Sequence, residues 1–182
     1  MGVVMYTDGS SLGNPGPGGY GTIIFYSNGS NNPTVTRIAQ GFRKTTNNRM
    51  EIMGVLEGLR FVFKELHKYT PKEERELVIY SDSEYVVNTF NKKWLLGWIK
   101  NGWKTNRHGA HSVIKNDDLW KEVVAMFMSN LDKGWIVDFH WVKGHAESAE
   151  NNECDAMAVA VASQDESLLA VDAVYERLNS EK

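Results

Sequence analysis

The sequence predicts an α/β domain in which helices pack against a mixed sheet. Two observations point there. Three β-rich runs come before any helical pattern, and from Asn48 the apolar residues recur at helical spacing, after which strand and helix patterns alternate. A chain of 182 residues suits one such domain with a short appendage.

Val3 to Thr7 reads as a strand ending at Asp8. Residues 8–19, Asp-Gly-Ser-Ser-Leu-Gly-Asn-Pro-Gly-Pro-Gly-Gly, are too rich in glycine and proline for regular structure and read as a loop. Tyr20 to Tyr26 and Thr34 to Phe42 are strands joined by the polar segment 27–33. Ile52, Val55, Leu56, Leu59, Val62, Phe63 and Leu66 then form one helical face, with Pro71 beyond its end. Glu76 to Ser81 reads as a buried strand. Helices follow over about Ser83–Phe90 and Trp94–Asn101, then a polar basic loop, then an amphipathic helix over Asp118–Leu131. Trp135 to Val142 alternates like a strand. Ala149 to Ala162 is a small-residue helix, and Leu168 to Leu178 a terminal one.

Composition excludes several classes. No apolar run approaches a membrane span, and the first residues lack a secretory pattern. The single cysteine, Cys154, rules out an internal disulfide and a cysteine-rich zinc site, and fits a cytoplasmic location. The net charge of −3 does not advertise a nucleic-acid partner, but its distribution does. Lys92, Lys93, Lys100, Lys104, Arg107 and Lys115 fall within one segment that has no acid, whereas the last eighteen residues are acidic. Charge alone leaves a solvated face open; interleaved Trp94, Trp98 and Trp103 favour a binding surface.

Four carboxylates stand at the ends of elements. Asp8 closes the first strand and Asp82 follows the fourth, so both lie where α/β sheets gather their chemistry. Glu51 opens the first helix beside its buried face, and Asp155 shares a stripe with Ala158, Val159 and Ala162. Each also has a structural reading. Glu51 can be the reciprocal partner of an Asn48 cap, Asp82 can cap the next helix, Asp8 can brace its turn, and Asp155 can be solvated. Their joint placement argues for a cluster. Uncompensated carboxylates repel, and divalent cations relieve that repulsion. All-oxygen ligands select Mg²⁺ or Mn²⁺, and two such ions suit phosphodiester hydrolysis.

Five ordered motifs now resemble one family. Tyr-Thr-Asp-Gly-Ser (6–10) with Gly-Asn-Pro-Gly-Pro-Gly-Gly (13–19), Thr-Asn-Asn-Arg-Met-Glu (46–51), Ser-Asp-Ser (81–83), Trp-Val-Lys-Gly-His-Ala (141–146) and Asn-Asn-Glu-Cys-Asp (151–155) are similar to those of bacterial type 1 ribonuclease H. The resemblance covers residues 1–163 as a catalytic domain and leaves 164–182 as a helical tail. It implies a ribonuclease H-like fold: a five-stranded mixed sheet, three antiparallel strands then two parallel, flanked by helices, with a basic helical protrusion. It implies that Asp8, Glu51, Asp82 and Asp155 hold two Mg²⁺ ions, with His145 assisting proton transfer or product departure. The substrate implied is an RNA–DNA hybrid, cut by a monomer in its RNA strand to leave 5′-phosphate and 3′-hydroxyl ends.

By the same resemblance Ser10, Ser11, Asn14, Thr46, Asn47, Asn48, Lys115 and Asn116 contact the hybrid, chiefly along its minor groove, where the 2′-OH distinguishes RNA from DNA. Trp94, Trp98, Lys100, Trp103, Lys104 and Arg107 look like the protrusion that grips the DNA strand. Glu84 departs from the glutamine common in the family, and reads either as a capping-box partner of Ser81 or as added charge near the groove. A non-catalytic hybrid-binding module, another nuclease of this architecture and a domain detached from a reverse transcriptase are the competing readings.

Overall fold

The computed structural model describes residues 2–27, 29, 32–105, 112–144 and 148–180. Its elements are β1 (Val3–Ser11), β2 (Gly16–Tyr26), β3 (Thr34–Thr45), α1 (Asn47–Lys64), β4 (Glu76–Ser81), α2 (Glu84–Asn91), α3 (Trp94–Lys100), β5 (Lys104–Thr105), β6 (Ser112–Val113), α4 (Asp117–Met128), β7 (Ile136–Trp141), α5 (Ala149–Ala162) and α6 (Ala173–Leu178). The main sheet has the order β3-β2-β1-β4-β7. Strands β1, β2 and β3 are antiparallel, and β4 and β7 add in parallel beyond β1. This is the five-stranded mixed sheet expected.

The glycine-rich segment corrects the sequence reading. Rather than a loop from Asp8 to Gly19, β1 runs on to Ser11 and β2 begins at Gly16, with Ser10 opposite Gly19 and Ser11 opposite Gly18. The glycines are there because helices press on the strands. A Cβ at Gly21 would collide with the Cys154 backbone, and one at Gly19 would lie 2.6 Å from the Ala158 carbonyl oxygen, both on α5. Composition alone mistakes this close packing for loop propensity.

Strand alternation gives the sheet two covered faces. Met5 and Thr7 meet α1 where its Gly58 and Gly54 leave room, while Gly19 and Gly21 on the opposite face receive α5. Between α1, α4 and the sheet lies the core, with Met5, Ile24, Ile52, Leu59, Phe63, Leu77, Ile79 and Trp120 fully buried. Phe90 of α2 stacks on Phe139 of β7, ring centroids 3.7 Å apart.

Helix ends differ from expectation in instructive ways. Thr46, not Asn48, caps α1, its hydroxyl accepting from the Arg49 N–H at 3.3 Å. Ser83 caps α2 by accepting from the Val86 N–H, so neither Asp82 nor a Ser81–Glu84 box does so; Ser81 is still in the strand. The expected terminal helix over Leu168–Leu178 shrinks to Ala173–Leu178. Ahead of it the chain is extended, because Ala170 bridges to Phe42 and bonds through Gly41 O and Arg43 N to β3.

Through that bridge the tail packs onto the domain. Asp172 is 3% exposed and binds Arg49 twice, accepting from Nε at 2.6 Å and from Nη2 at 2.9 Å. Asp118 of α4 takes the other guanidinium edge, at 2.9 and 2.7 Å. Burial alone would weaken the Arg49 charge, but the bonds from Asp118 and Asp172 more than offset it. Thr45 adds a bond to Asp172 at 2.8 Å. Removing one partner of a buried pair strands the other charge. Asp172→Ala is therefore expected to lower stability by about 3–5 kcal/mol, read as a shift in the urea midpoint.

Candidate active site

Register brings the first two carboxylates together. Strands β1 and β4 are parallel neighbours, and Thr7 pairs with Ser81, so Asp8 and Asp82 stand one residue further along at the same level. Glu51 arrives from the first turns of α1. Gly9 makes that approach possible, since a Cβ there would fall within the Met50–Glu51 backbone. One carboxylate oxygen from each of Asp8, Glu51 and Asp82 lies within 4.8 Å of the other two. Asp8 and Glu51 are buried, at 4% and 8% exposure, and Asp82 is half-buried.

The electrostatics follow from this crowding. Burial, then repulsion from Asp82, raises the Asp8 carboxyl from 3.8 to about 7, and Asp155 on α5 adds to the rise. Burial, then Asp8 and Asp82, holds the Glu51 carboxyl well above the usual carboxylate range. Glu51 Oε2 is buried without a hydrogen-bond partner. Asp155, partly exposed, is near enough to act on Asp8 but stands outside the group of three. An all-oxygen set with an orphaned buried oxygen fits a hard divalent cation such as Mg²⁺. Cys154 is buried, and burial pushes its thiol up.

Most of the other expected residues that the structure describes fall into two groups. Asn47 Oδ1 accepts from the Ser11 N–H at 2.6 Å, and Asn14 Oδ1 accepts from the Asn47 N–H at 3.3 Å, lacing the β1–β2 turn to the start of α1. Ser10 is the half-buried residue two places beyond Asp8. Asn14, Thr46, Asn48, Lys115 and Asn116 line one cavity of about 620 Å³. Trp94, Trp98 and Lys115 line a second, of about 710 Å³, with Glu84 on its wall.

The tryptophans divide their work. Trp98 packs on buried Trp120, centroids 6.0 Å apart, whereas Trp94 is 39% exposed with the Lys92 ammonium 5.8 Å above its ring. Trp103 is partly buried under the Lys121 ammonium, and Lys100 and Lys104 are exposed. His145 and Arg107 lie outside the described residues. Gly144 abuts the cluster, however: a Cβ there would sit 2.8 Å from Asp82 Oδ2, and Trp141 Nε1 donates to the Asp82 carbonyl at 3.1 Å. Motif reading passed over Arg49, whose partners lie 69 and 123 residues away, beyond any local signal.

In this α/β sheet Asp8 and Asp82 stand side by side where the parallel pairing of β1 and β4 ends, with Glu51 beside them, an arrangement suited to holding a divalent cation. The RNase H family model matches residues 1–163. A Ribonuclease H of Lachnoclostridium phytofermentans is 42% identical over 177 residues, covering 97% of this chain and all of that one. The Ribonuclease H of Rippkaea orientalis is 40% identical over 174 residues, 96% and 92% of the two chains. Among solved structures, LC9-RNase H1, described as a type 1 RNase H with the type 2 active-site motif, aligns at TM-score 0.71 and 34% identity over 97% of this chain and 79% of its own. LC11-RNase H1 in complex with RNA/DNA hybrid aligns at 0.59 and 18%, covering 87% and 94%, a likeness of fold. The chain belongs to the RNase H family and is a ribonuclease H enzyme.

The raised Asp8 carboxyl has a thermodynamic consequence. A folded-state value of about 7 against 3.8 means that stability present below pH 4 is lost as pH rises through 7. In EDTA at pH 8, Asp8→Asn is expected to be more stable than wild type by about 1–3 kcal/mol, the gain vanishing towards pH 4. Thermal melts across that range check it; a gain constant with pH would contradict it.

Proposed function

We propose that this enzyme hydrolyses the RNA strand of RNA–DNA hybrids at internal phosphodiesters, without sequence preference. The observation that carries the reading is the meeting of Asp8, Glu51 and Asp82 oxygens around a buried, unpartnered Glu51 oxygen. Asp155, whose charge reaches Asp8, would complete the set. Two Mg²⁺ ions, or Mn²⁺ in their place, would neutralise these acids and supply Lewis-acid stabilisation to the phosphate oxygens.

The residues of the chain do the rest. Water attacks the phosphorus and gives up a proton as the P–O3′ bond breaks, a proton is delivered to the departing 3′ oxygen, and the products carry a 5′-phosphate and a 3′-hydroxyl. His145 follows Gly144, which packs against Asp82. By its chemistry an imidazole is suited to move that proton near neutral pH or to assist product departure. Glu51 would lie near the 2′-OH of the RNA strand. Backbone around Ser10, Ser11 and Asn14, with Asn47, Asn48 and Asn116, would read the minor groove. Thr46 and Lys115 share the cavity with that amide row.

The DNA strand would run along the arm formed by α3 and the β5–β6 hairpin. Exposed Lys100 and Lys104, with Arg107, offer phosphate contacts, and half-exposed Trp94 offers a ring face. That a neighbour of the same fold is seen with RNA/DNA hybrid supports the assignment. We place the enzyme in the cytoplasm as a monomer. Among the described residues no helix is long and apolar enough to cross a membrane.

Two experiments test the reading. Labelled hybrid, duplex RNA, duplex DNA and single strands are incubated with Mg²⁺ or EDTA. RNA is expected to be cut only in the hybrid and only with metal, and activity is expected to fall by at least about a thousandfold in Asp8→Asn. Cleavage persisting in EDTA defeats the mechanism. Replacing Lys100, Lys104 and Arg107 by alanine is expected to weaken hybrid binding and flatten the slope of log affinity on log salt by about 2–3. An unchanged slope removes the arm from the binding surface.

A further inference from the structure

The tail lies beyond the matched family region, yet it reaches the residues assigned to the hybrid groove. Asp172 bonds both Nε and Nη2 of Arg49, and Nη1 of the same guanidinium points at Asn116 Oδ1, 3.4 Å away. Asn116 is held in a left-handed conformation, φ 61°, at the start of α4. Arg49 itself stands two residues before Glu51 on α1, next to Asn48. Tyr175, Leu178 and Asn179 of the tail form one wall of the cavity whose other wall holds Asn14, Asn48 and Asn116.

A guanidinium has a planar fork, so the bonds on one edge set where the other edge points. Asp172 and Asp118 together leave Arg49 one orientation, and Nη1 is then the donor aimed at Asn116. Asp172 is in turn oriented by the Thr45 hydroxyl, and its own Oδ1 caps α6 by accepting from the Tyr175 N–H. The tail's outer attachment is separate: Arg43 pairs with Glu176 on the surface, at 2.7 Å.

We infer that Asp172 is a positioning residue for substrate binding, which through Arg49 fixes the Asn116 amide and the first turn of α1 against the hybrid. The inference rests on the reading of the site as a hybrid-cleaving centre. It requires a residue over 120 positions from Arg49 to affect affinity for a substrate it does not touch.

The test is steady-state cleavage of a labelled hybrid with Mg²⁺, at a temperature where each variant is shown by circular dichroism to be folded. Asp172→Asn is expected to raise KM about fivefold or more with kcat within twofold, and Asp172→Glu to recover part of the loss. In a double-mutant cycle, Asp172→Asn combined with Asn116→Ala is expected to be no worse than Asn116→Ala alone, since both act through one amide. The Arg43→Ala, Glu176→Ala pair, which loosens the tail without touching Arg49, should leave KM in place. Thr45→Val strips one bond from Asp172 with no change of charge. It should raise KM by a smaller factor, and it carries the test if Asp172→Asn does not fold. Unchanged KM in the folded variants, or effects of Asp172 and Asn116 that simply add, overturns the inference. A wild-type protein that does not cut hybrids overturns the reading beneath it instead.

Discussion

Three carboxylates share a pocket that excludes most of the water able to screen them, and the surrounding structure exists to hold them there. Raising one carboxyl from 3.8 to about 7 disfavours its ionised form by on the order of 4 kcal/mol, and Glu51 suffers the same pressure. The core must outweigh this. Ile52, Val55, Leu56, Leu59, Val62 and Phe63 of α1 are all essentially buried, and each contributes roughly 1.5–3 kcal/mol. The helix that carries the strained acid is also the best anchored in the fold. A divalent cation held by these oxygens would relieve the repulsion.

Close backbone approach is the second requirement, met by residues without side chains. Gly9 admits Glu51 beside Asp8, and Gly19 and Gly21 admit α5 with Asp155 from the other face. Gly144 lets the segment before His145 lie against Asp82. The acids are thus approached from three directions, and at each the limiting dimension is one methyl group. That explains why motifs rich in glycine occur in strands here, where glycine would ordinarily weaken pairing.

Arg49 links this centre to the rest of the molecule. It is buried in the first turn of α1, two residues before Glu51, and is held by α4 and by the tail. Its two ion pairs tie the start of α1 to the start of α4 and to the tail, which Ala170 seats on β3. Contacts from several elements converge on one guanidinium because a buried charge with five donors needs several acceptors, and those acceptors come from separate elements.

Much of this was legible from residue order. The periodicity of Ile52 through Phe63, the alternation of Ile136 to Trp141 and the small-residue run of α5 placed their elements to within a few residues. The same reading put Glu51 in the first turns of α1 and Asp82 just after β4, because period and punctuation are local properties of a chain, but it ended β1 at Asp8, which lies inside the strand. What local pattern could not report was any feature satisfied at a distance. Gly16 to Gly19 looked like a loop until α5 and β3 were laid against it, Asp172 looked like one acid of a helical tail until Arg49 met it, and Ser83 and Thr46 took caps that Asp82 and Asn48 were equally able to supply. Those choices are made by contacts between residues tens to more than a hundred positions apart, which leave no trace in the spacing of neighbours and become determinate only when the sheet and helices close on one another.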